Sequence, residues 1–178
     1  MEKETKHIVL VGGGYASIWA YRSLVRELLI EIISGRVKIS VVCPEEYHFY
    51  HGWTAESLMG IIQDENRMSP LSEIFHFAEL IKGRAVGLNP DSQILNVQMI
   101  NGSGVSICFD QLFLGIGTYD STSITGLKEY AYPLKSHRDF MRAKMRIEWM
   151  LQEATRFENL KPQKKIQNPV RQSNQILL

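Results

Sequence analysis

Cysteine is scarce in this chain of 178 residues: only Cys43 and Cys108 occur, far apart in sequence and in no C-x-x-C pair. A disulfide framework is thereby excluded, no metal-ligand spacing surrounds either thiol, and the expected compartment is reducing and cytoplasmic. A surplus of one charge is missing too, since 20 Lys and Arg face 19 Asp and Glu. That balance argues against nucleic acid as a partner and against a general pull toward an anionic membrane surface, so an acidic small ligand needs a local site. Long apolar runs are lacking: none approaches the roughly 18 residues that cross a bilayer, and the charged residues 1 to 7 carry no signal-peptide pattern. The segment is therefore expected to be soluble.

What is present is a strongly patterned N-terminal third. HIVLV at 7 to 11 is a short, branched, continuously apolar run that suits a strand buried on both faces. Three glycines follow, and then Ala16, Ala20, Leu24 and Leu28 recur every four residues with Val25 and Ile32 beside them, which predicts a helix ended at Ser34-Gly35. VKISVVC at 37 to 43 predicts a second buried strand, so 7 to 43 reads as one βαβ unit. Residues 44 to 62 show no clean period. Ser69-Pro70 predicts a helix start running to about Phe77. AELIKGRAVGLN, ILNVQMI, VSICF and QLFLGIG, separated by the turns NPDS and NGSG, predict an antiparallel meander that returns to the main sheet. Ser136 is placed to cap a long helix with Phe140, Ala143, Ile147, Met150 and Ala154 on one face, and polar sequence follows Phe157.

The glycine turn carries the clearest chemistry. A helix N-terminus offers free N–H groups and the positive end of the helix dipole to a pyrophosphate, provided the turn is tight and unobstructed. Gly12 supplies the turn, Gly14 the close approach, and Ser17 stands where a third glycine would let helix and strand pack, giving G-x-G-x-x-S. The bland alternative is a glycine-rich turn that binds nothing. An acidic residue is expected at the end of the second strand to hold the ribose hydroxyls; Cys43 occupies that place, leaving Glu45 or Glu46 to reach back, with Glu45 the candidate. His48 and His51 are three apart with no third ligand near, which does not make a metal site. Tyr47, His48, His51 and Trp53 read, from the residues themselves, as loop residues packing on the domain surface. Both cysteines read as buried, inert strand thiols, Trp149 and Met150 as packing residues, Arg142, Lys144 and Arg146 as a solvated basic face, and Asp110 as a turn residue.

Taken together, HIVLVGGGYAS at 7 to 17, VVCPEEYHFYHGWTAESLMG at 41 to 60, FDQLFLGIGT at 109 to 118 and ITGLKEYAYPLKSHRDF at 124 to 140 resemble the FAD-dependent pyridine-nucleotide oxidoreductases. Within them the similarity is to the N-terminal FAD-binding part of the type II NADH dehydrogenase-like flavoproteins. The absence of C-x-x-x-x-C sets the chain apart from the disulfide reductases of that family.

The resemblance implies an α/β fold, a Rossmann-like FAD/NAD(P)-binding domain of three layers (parallel sheet, helices and antiparallel β-meander), incomplete in this chain. Residues 1 to 157 are expected to form the FAD-binding domain with meander and long connecting helix. Residues 158 to 178 are expected to be a polar linker with, at QILL, the possible first strand of a missing NADH-binding domain. The cofactor implied is FAD, with NADH used in the intact family at a site missing here. Gly12, Gly13, Gly14, Tyr15, Ala16 and Ser17 would hold the pyrophosphate turn; Cys43, Pro44 and Glu45 would meet the ribose; Ala85 and Val86 would meet adenine through backbone; Gly115, Gly117 and Thr118 would form a turn beside the flavin nucleotide, with Ile116 where the family commonly has Thr. The segment after the second strand would lie near the flavin, so the resemblance implies that Tyr47, His48, His51 and Trp53 contact flavin or quinone, with surface packing the equal alternative; no catalytic acid, base or nucleophile is assigned. A quinone-like acceptor is implied as the intact family's partner, a homodimer is allowed, and attachment to the inner face of the membrane is left open. Two other readings stand beside this one: a Rossmann-fold remnant or interaction module that no longer binds FAD, and a stand-alone NAD(P)-binding lobe.

Overall fold

The computed structural model describes residues 5–118, 123–160 and 176–177 of the chain, with side chains up to residue 156. Two compact units divide at 117/118. In the first, strand β1 (Lys6–Val11) runs through the glycine turn into helix α1 (Tyr15–Ile33) and returns as β2 (Val37–Cys43). The helix ends as its sequence predicts: Ser34 N–H donates to Ile30 O and Gly35 takes φ +74°, a left-handed conformation that glycine tolerates without strain.

Two short strands follow, β3 (Tyr47–Phe49) and β4 (Met68–Pro70), which pair antiparallel with His48 opposite Ser69. Between them lie a 3-10 turn at His51–Trp53, the five-residue helix α2 (Thr54–Leu58) and a second 3-10 turn at Asp64–Arg67. The helix predicted from Ser69 to about Phe77 is one turn only, α3 (Leu71–Ile74). Its start is taken by the pairing of residues 68 to 70 with β3. Its end is set by Phe75, which leaves helical geometry as its side chain enters the core.

β5 (Glu79–Asn89) is long because it serves two sheets in turn. Its first half pairs parallel with β2, Ser40 opposite Glu79 through Cys43 opposite Lys82, and its second half pairs antiparallel with β6 (Ile94–Met99), itself followed by β7 (Gly104–Cys108). β8 (Gln111–Leu114) then returns to lie parallel to β1 on the far side, giving the order β7-β6-β5-β2-β1-β8. The turns fall where sequence places them: Asn89 Oδ1 accepts from Ser92 N–H, and Gly102 takes φ +86°.

Alternation along β1 and β2 builds the core on both faces of the sheet. Leu10, Ile39 and Val41 pack with Tyr21, Leu71 and Phe75, and α1 covers them through Ile18, Ala20, Leu24 and Val25. Val9, Val11 and Val42 point the other way, onto Leu95, Val97 and Ile107 of the meander. Helix, parallel sheet and meander thus form three layers, and β1 and β2 carry apolar residues on both faces, Ile8 to Val11 and Val41 to Cys43 in unbroken runs, because both faces are covered.

The second unit contains α4 (Leu127–Tyr130), β9 (Ala131–Tyr132), α5 (His137–Leu160) and β10 (Ile176–Leu177), which pairs parallel with β9. Ser136 caps α5, its Oγ accepting from Asp139 N–H at 3.1 Å and donating to the Asp139 carboxylate at 2.6 Å. Phe140 and Ala143 of the predicted stripe are buried and Ile147, Met150 and Ala154 partly so. Trp149 is instead half exposed, with the Arg146 guanidinium 4.2 Å from its ring centroid, because it lies off that stripe. The expected linker falls largely at residues 161 to 175, outside the described residues, as do Gln175 and Leu178 of QILL.

Candidate functional site at the glycine turn

The turn between β1 and α1 is tied down on three sides. Gly12 N–H donates to Val42 O at 2.8 Å, and its φ of +104° excludes an ordinary side chain. A Cβ at Gly12 would stand 2.3 Å from Gly115 O, and one at Gly13 would stand 2.7 Å from Leu71 Cδ1. At Gly14 the situation reverses, for a Cβ there would meet nothing within 4 Å. Gly14 is the N-cap of α1, no side chain caps it, and the first intrahelical bond runs from Ile18 N–H to Gly14 O. The N–H groups of Tyr15, Ala16 and Ser17 have no partner within the helix; the space before Gly14 is open, whereas Ser17 is buried.

Ser17 is fully buried and its Oγ donates to Val11 O at 3.4 Å. A Cβ on Gly115 would approach that Oγ to 2.2 Å, so the third position of the turn and the first glycine of LGIGT fill one small volume. Gly115 N–H donates to Val11 O at 2.8 Å, which brings the two sequence-predicted glycine stretches together at the ends of β1 and β8. Gly117 takes φ +67°. Thr118 belongs to the second unit, where its Oγ1 accepts from Lys135 Nζ at 3.0 Å.

At the end of β2 a cleft of about 190 Å³ opens, lined by Cys43, Glu45, Tyr47, Pro70, Ser72 and Lys82 among others. Cys43 is buried, and its thiol, which donates to Glu45 O at 3.6 Å, is pushed up to about 11 chiefly by burial and next by the Glu45 charge. It is a neutral packing group. Glu46 is engaged by an ion pair with Lys82, and that contact lowers its pKa. Glu45 lies exposed at the cleft, and Pro44 is partly buried behind it. Ala85 and Val86 lie further along β5 at a β-bulge, where the register to β6 skips Val86 and leaves it 60% exposed.

A wall of rings from the irregular segment flanks the turn. His48 Nδ1 donates to Gly13 O at 3.3 Å, and its ring meets Tyr15 edge-on at 4.5 Å. Tyr50 lies 6.5 Å from Tyr15 and 5.1 Å from Trp53. The His51 ring has Phe49 as a ring neighbour at 6.3 Å. Beneath, Arg67 is buried, with its guanidinium 4.6 Å from the Phe49 ring centroid, its Nη1 donating to Thr54 Oγ1 and its carbonyl accepting from Tyr50 N–H. Nothing in the aperiodic stretch 44–67 signalled Arg67 as a core residue, because its partners Phe49, Tyr50 and Thr54 come from short elements that share no period.

Elsewhere, Asp110 accepts from His7 N–H and Lys6 Nζ, which lowers its pKa and fastens the β7–β8 turn to β1. Cys108 corrects the expectation of a buried thiol. It is exposed, since it follows buried Ile107 on the outer strand and alternation turns it outward. Among the described residues no group of three His, Cys, Asp or Glu side chains could hold a metal ion, and no helix is long and apolar enough to cross a membrane.

Parallel sheet, covering helix, meander and a glycine turn at the helix N-terminus together define a three-layer α/β domain with the Rossmann-like FAD/NAD(P)-binding fold. More particularly, the chain is similar to the type II NADH:quinone oxidoreductase of Staphylococcus saprophyticus, at 21% identity over 137 residues, 76% of this chain and 32% of that protein. Among solved structures it is similar to NDH2 of Plasmodium falciparum in complex with NADH, with a TM-score of 0.69, 16% identity, and coverage of 85% of this chain and 30% of that one. The sulfide:quinone oxidoreductase of Aquifex aeolicus gives a TM-score of 0.67 at 20% identity, covering 83% and 33%. No family model matches the sequence. The chain spans about a third of the length of the curated relatives it matches.

Proposed function

We propose that this chain is the FAD-binding portion of an NAD(P)H:acceptor oxidoreductase whose acceptor is quinone-like. Residues 1–157 are assigned to FAD binding, and 158–178 to a linker and the start of a strand. The carrying observation is the unobstructed space before Gly14 at an uncapped helix end, in a turn where the φ of Gly12 and the backbone of Gly115 admit only glycine at position 12. The N–H groups at 14 to 17 would hold the pyrophosphate, Glu45 the ribose, the backbone at Ala85 and Val86 the adenine, and Gly115 and Gly117 the approach to the flavin end. When bound at these residues, FAD would supply the hydride- and electron-transfer chemistry. The chain's own residues bind and orient it.

Titration of the purified chain with FAD tests this, NADH being run in parallel. The expected result is saturable uptake giving a yellow protein, with weaker uptake of NADH. Gly14→Val should abolish uptake while leaving the unfolding midpoint close to that of the parent, because its side chain enters open space. A colourless protein that takes up no FAD would overturn the proposal in favour of a remnant or interaction module. Tighter binding of NADH than of FAD would favour an NAD(P)-binding lobe.

A further inference from the structure

Two consecutive glycines, Gly13 and Gly14, flank the peptide unit that leads into the helix. Glycine accepts both signs of φ at little cost, so nothing in the local sequence fixes which way this peptide faces. The orientation matters at an anion site. Across a trans peptide the C=O of residue 13 and the N–H of residue 14 point in opposite directions, and every described peptide bond here is trans. If the unit turns over, a carbonyl oxygen replaces an N–H beside the phosphate, and an attraction becomes a repulsion.

The fold supplies a restraint at this unit from outside the turn. His48 Nδ1 lies 3.3 Å from Gly13 O, and a carbonyl can only accept, so Nδ1 carries the proton. Pairing of His48 with Ser69 in the β3–β4 ladder holds its backbone, while the Tyr15 ring holds its imidazole edge-on. The Leu71 side chain also packs on Gly13, its Cδ1 falling 2.7 Å from where a Cβ would stand. Both contacts come from one segment, residues 47 to 71, whose sequence has no helical or strand period.

We infer that His48 is a positioning residue: its Nδ1–H tethers the Gly13 carbonyl and thereby keeps the Gly14 N–H turned toward the pyrophosphate. This rests on the FAD reading given above, but the tether itself does not need a ligand. Burial lowers the pKa of His48 and outweighs the Gly13 contact, which raises it, so the neutral ring is favoured near pH 7; the contact to a carbonyl places its proton on Nδ1.

Three forms of the full chain separate the hydrogen bond from the packing. His48→Phe retains a ring against Tyr15 but has no donor; His48→Asn loses the ring but places an amide N–H near the old Nδ1. A single net hydrogen bond predicts FAD binding about fivefold weaker in His48→Phe and within about twofold of the parent in His48→Asn. Equal affinity of parent and His48→Phe, or a loss in His48→Asn as large as in His48→Phe, would overturn the inference. Nitrogen NMR of the parent's histidine rings, assigned by the signal missing from His48→Asn, should show Nδ1 protonated. The Gly13 carbonyl carbon should shift upfield in His48→Phe only. An Nε2-protonated ring or an unmoved Gly13 carbonyl refutes the tether whether or not flavin binds. Failure of the parent to take up FAD, with both NMR results as expected, would sink the functional reading and leave the tether standing.

Discussion

Ser17 and Gly115 share a volume that holds one small side chain and no more. Ser17 is fully buried at the start of α1, and Gly115 faces it from the end of β8. The packing of helix on sheet at this point therefore depends on both, which explains how serine replaces glycine in the third position of the turn: the absent Cβ has moved to the neighbouring strand. Gly115→Ala puts a methyl group 2.2 Å from Ser17 Oγ and 3.2 Å from Phe113 Cε1, so one of them must give way. Overpacking of this kind costs about 1–3 kcal/mol. Ser17→Gly removes the Oγ, so the Ser17→Gly/Gly115→Ala double variant should recover at least half of that loss. Urea unfolding of parent, both single variants and the double variant gives the coupling directly; strict additivity of the two changes would show that the contact is not the cause. The sequence alone identified each of these positions as part of a glycine turn. It could not show that they touch, since their separation of nearly a hundred residues is closed only by the pairing of β8 with β1.

The segment from β3 to β4 is held by a buried cation rather than by an apolar stripe. Arg67 is 1% exposed, lies over Phe49, reaches Thr54 and accepts from Tyr50 N–H, so it joins both 3-10 turns to the short hairpin. Arg67→Ala leaves a cavity and strands Thr54 and Phe49, and should cost about 2–4 kcal/mol, with chymotryptic cleavage appearing first within residues 50–67, at Tyr50, Trp53 or Leu58. Arg67→Met restores volume and should recover more than half of that loss if packing over Phe49 is the main contribution. No recovery in Arg67→Met would instead assign the stabilisation to the charge and its hydrogen bonds. The contrast with the rest of the unit explains what was legible in sequence. β1, α1, β2 and the meander follow from period and turn chemistry, because each buries a regular face. The residues 44 to 78 bury side chains singly from turns, so no period forms, the helix at Ser69 is read too long, and Arg67 and the His48–Gly13 contact stay hidden. Cys108 was misread for a related reason: strand membership alone does not say which face a residue takes.

At the scale of the whole molecule, the question is what one βαβ unit with its meander can do. The relatives are about three times longer than the stretch they share with this chain, and the neighbour solved with NADH covers it at 30% of its own length. Among the described residues there is a single strand, glycine turn and helix that could seat a pyrophosphate, formed by β1 and α1. Hydride transfer needs two seats, one for the flavin and one that holds the nicotinamide against it within reacting distance, and most of the rate advantage of such a pair comes from that positioning. With FAD in the one seat, NADH would reach the ring only by collision. The 178-residue chain saturated with FAD should therefore oxidise NADH with a turnover well below ~1 per second, even with a soluble quinone in excess. Stopped-flow measurement of flavin bleaching separates the steps: the rate should rise linearly with NADH concentration and show no saturation. A saturating rate with turnover above that limit would mean that a nicotinamide site exists within these residues, and the assignment of this chain to flavin binding alone would have to be given up.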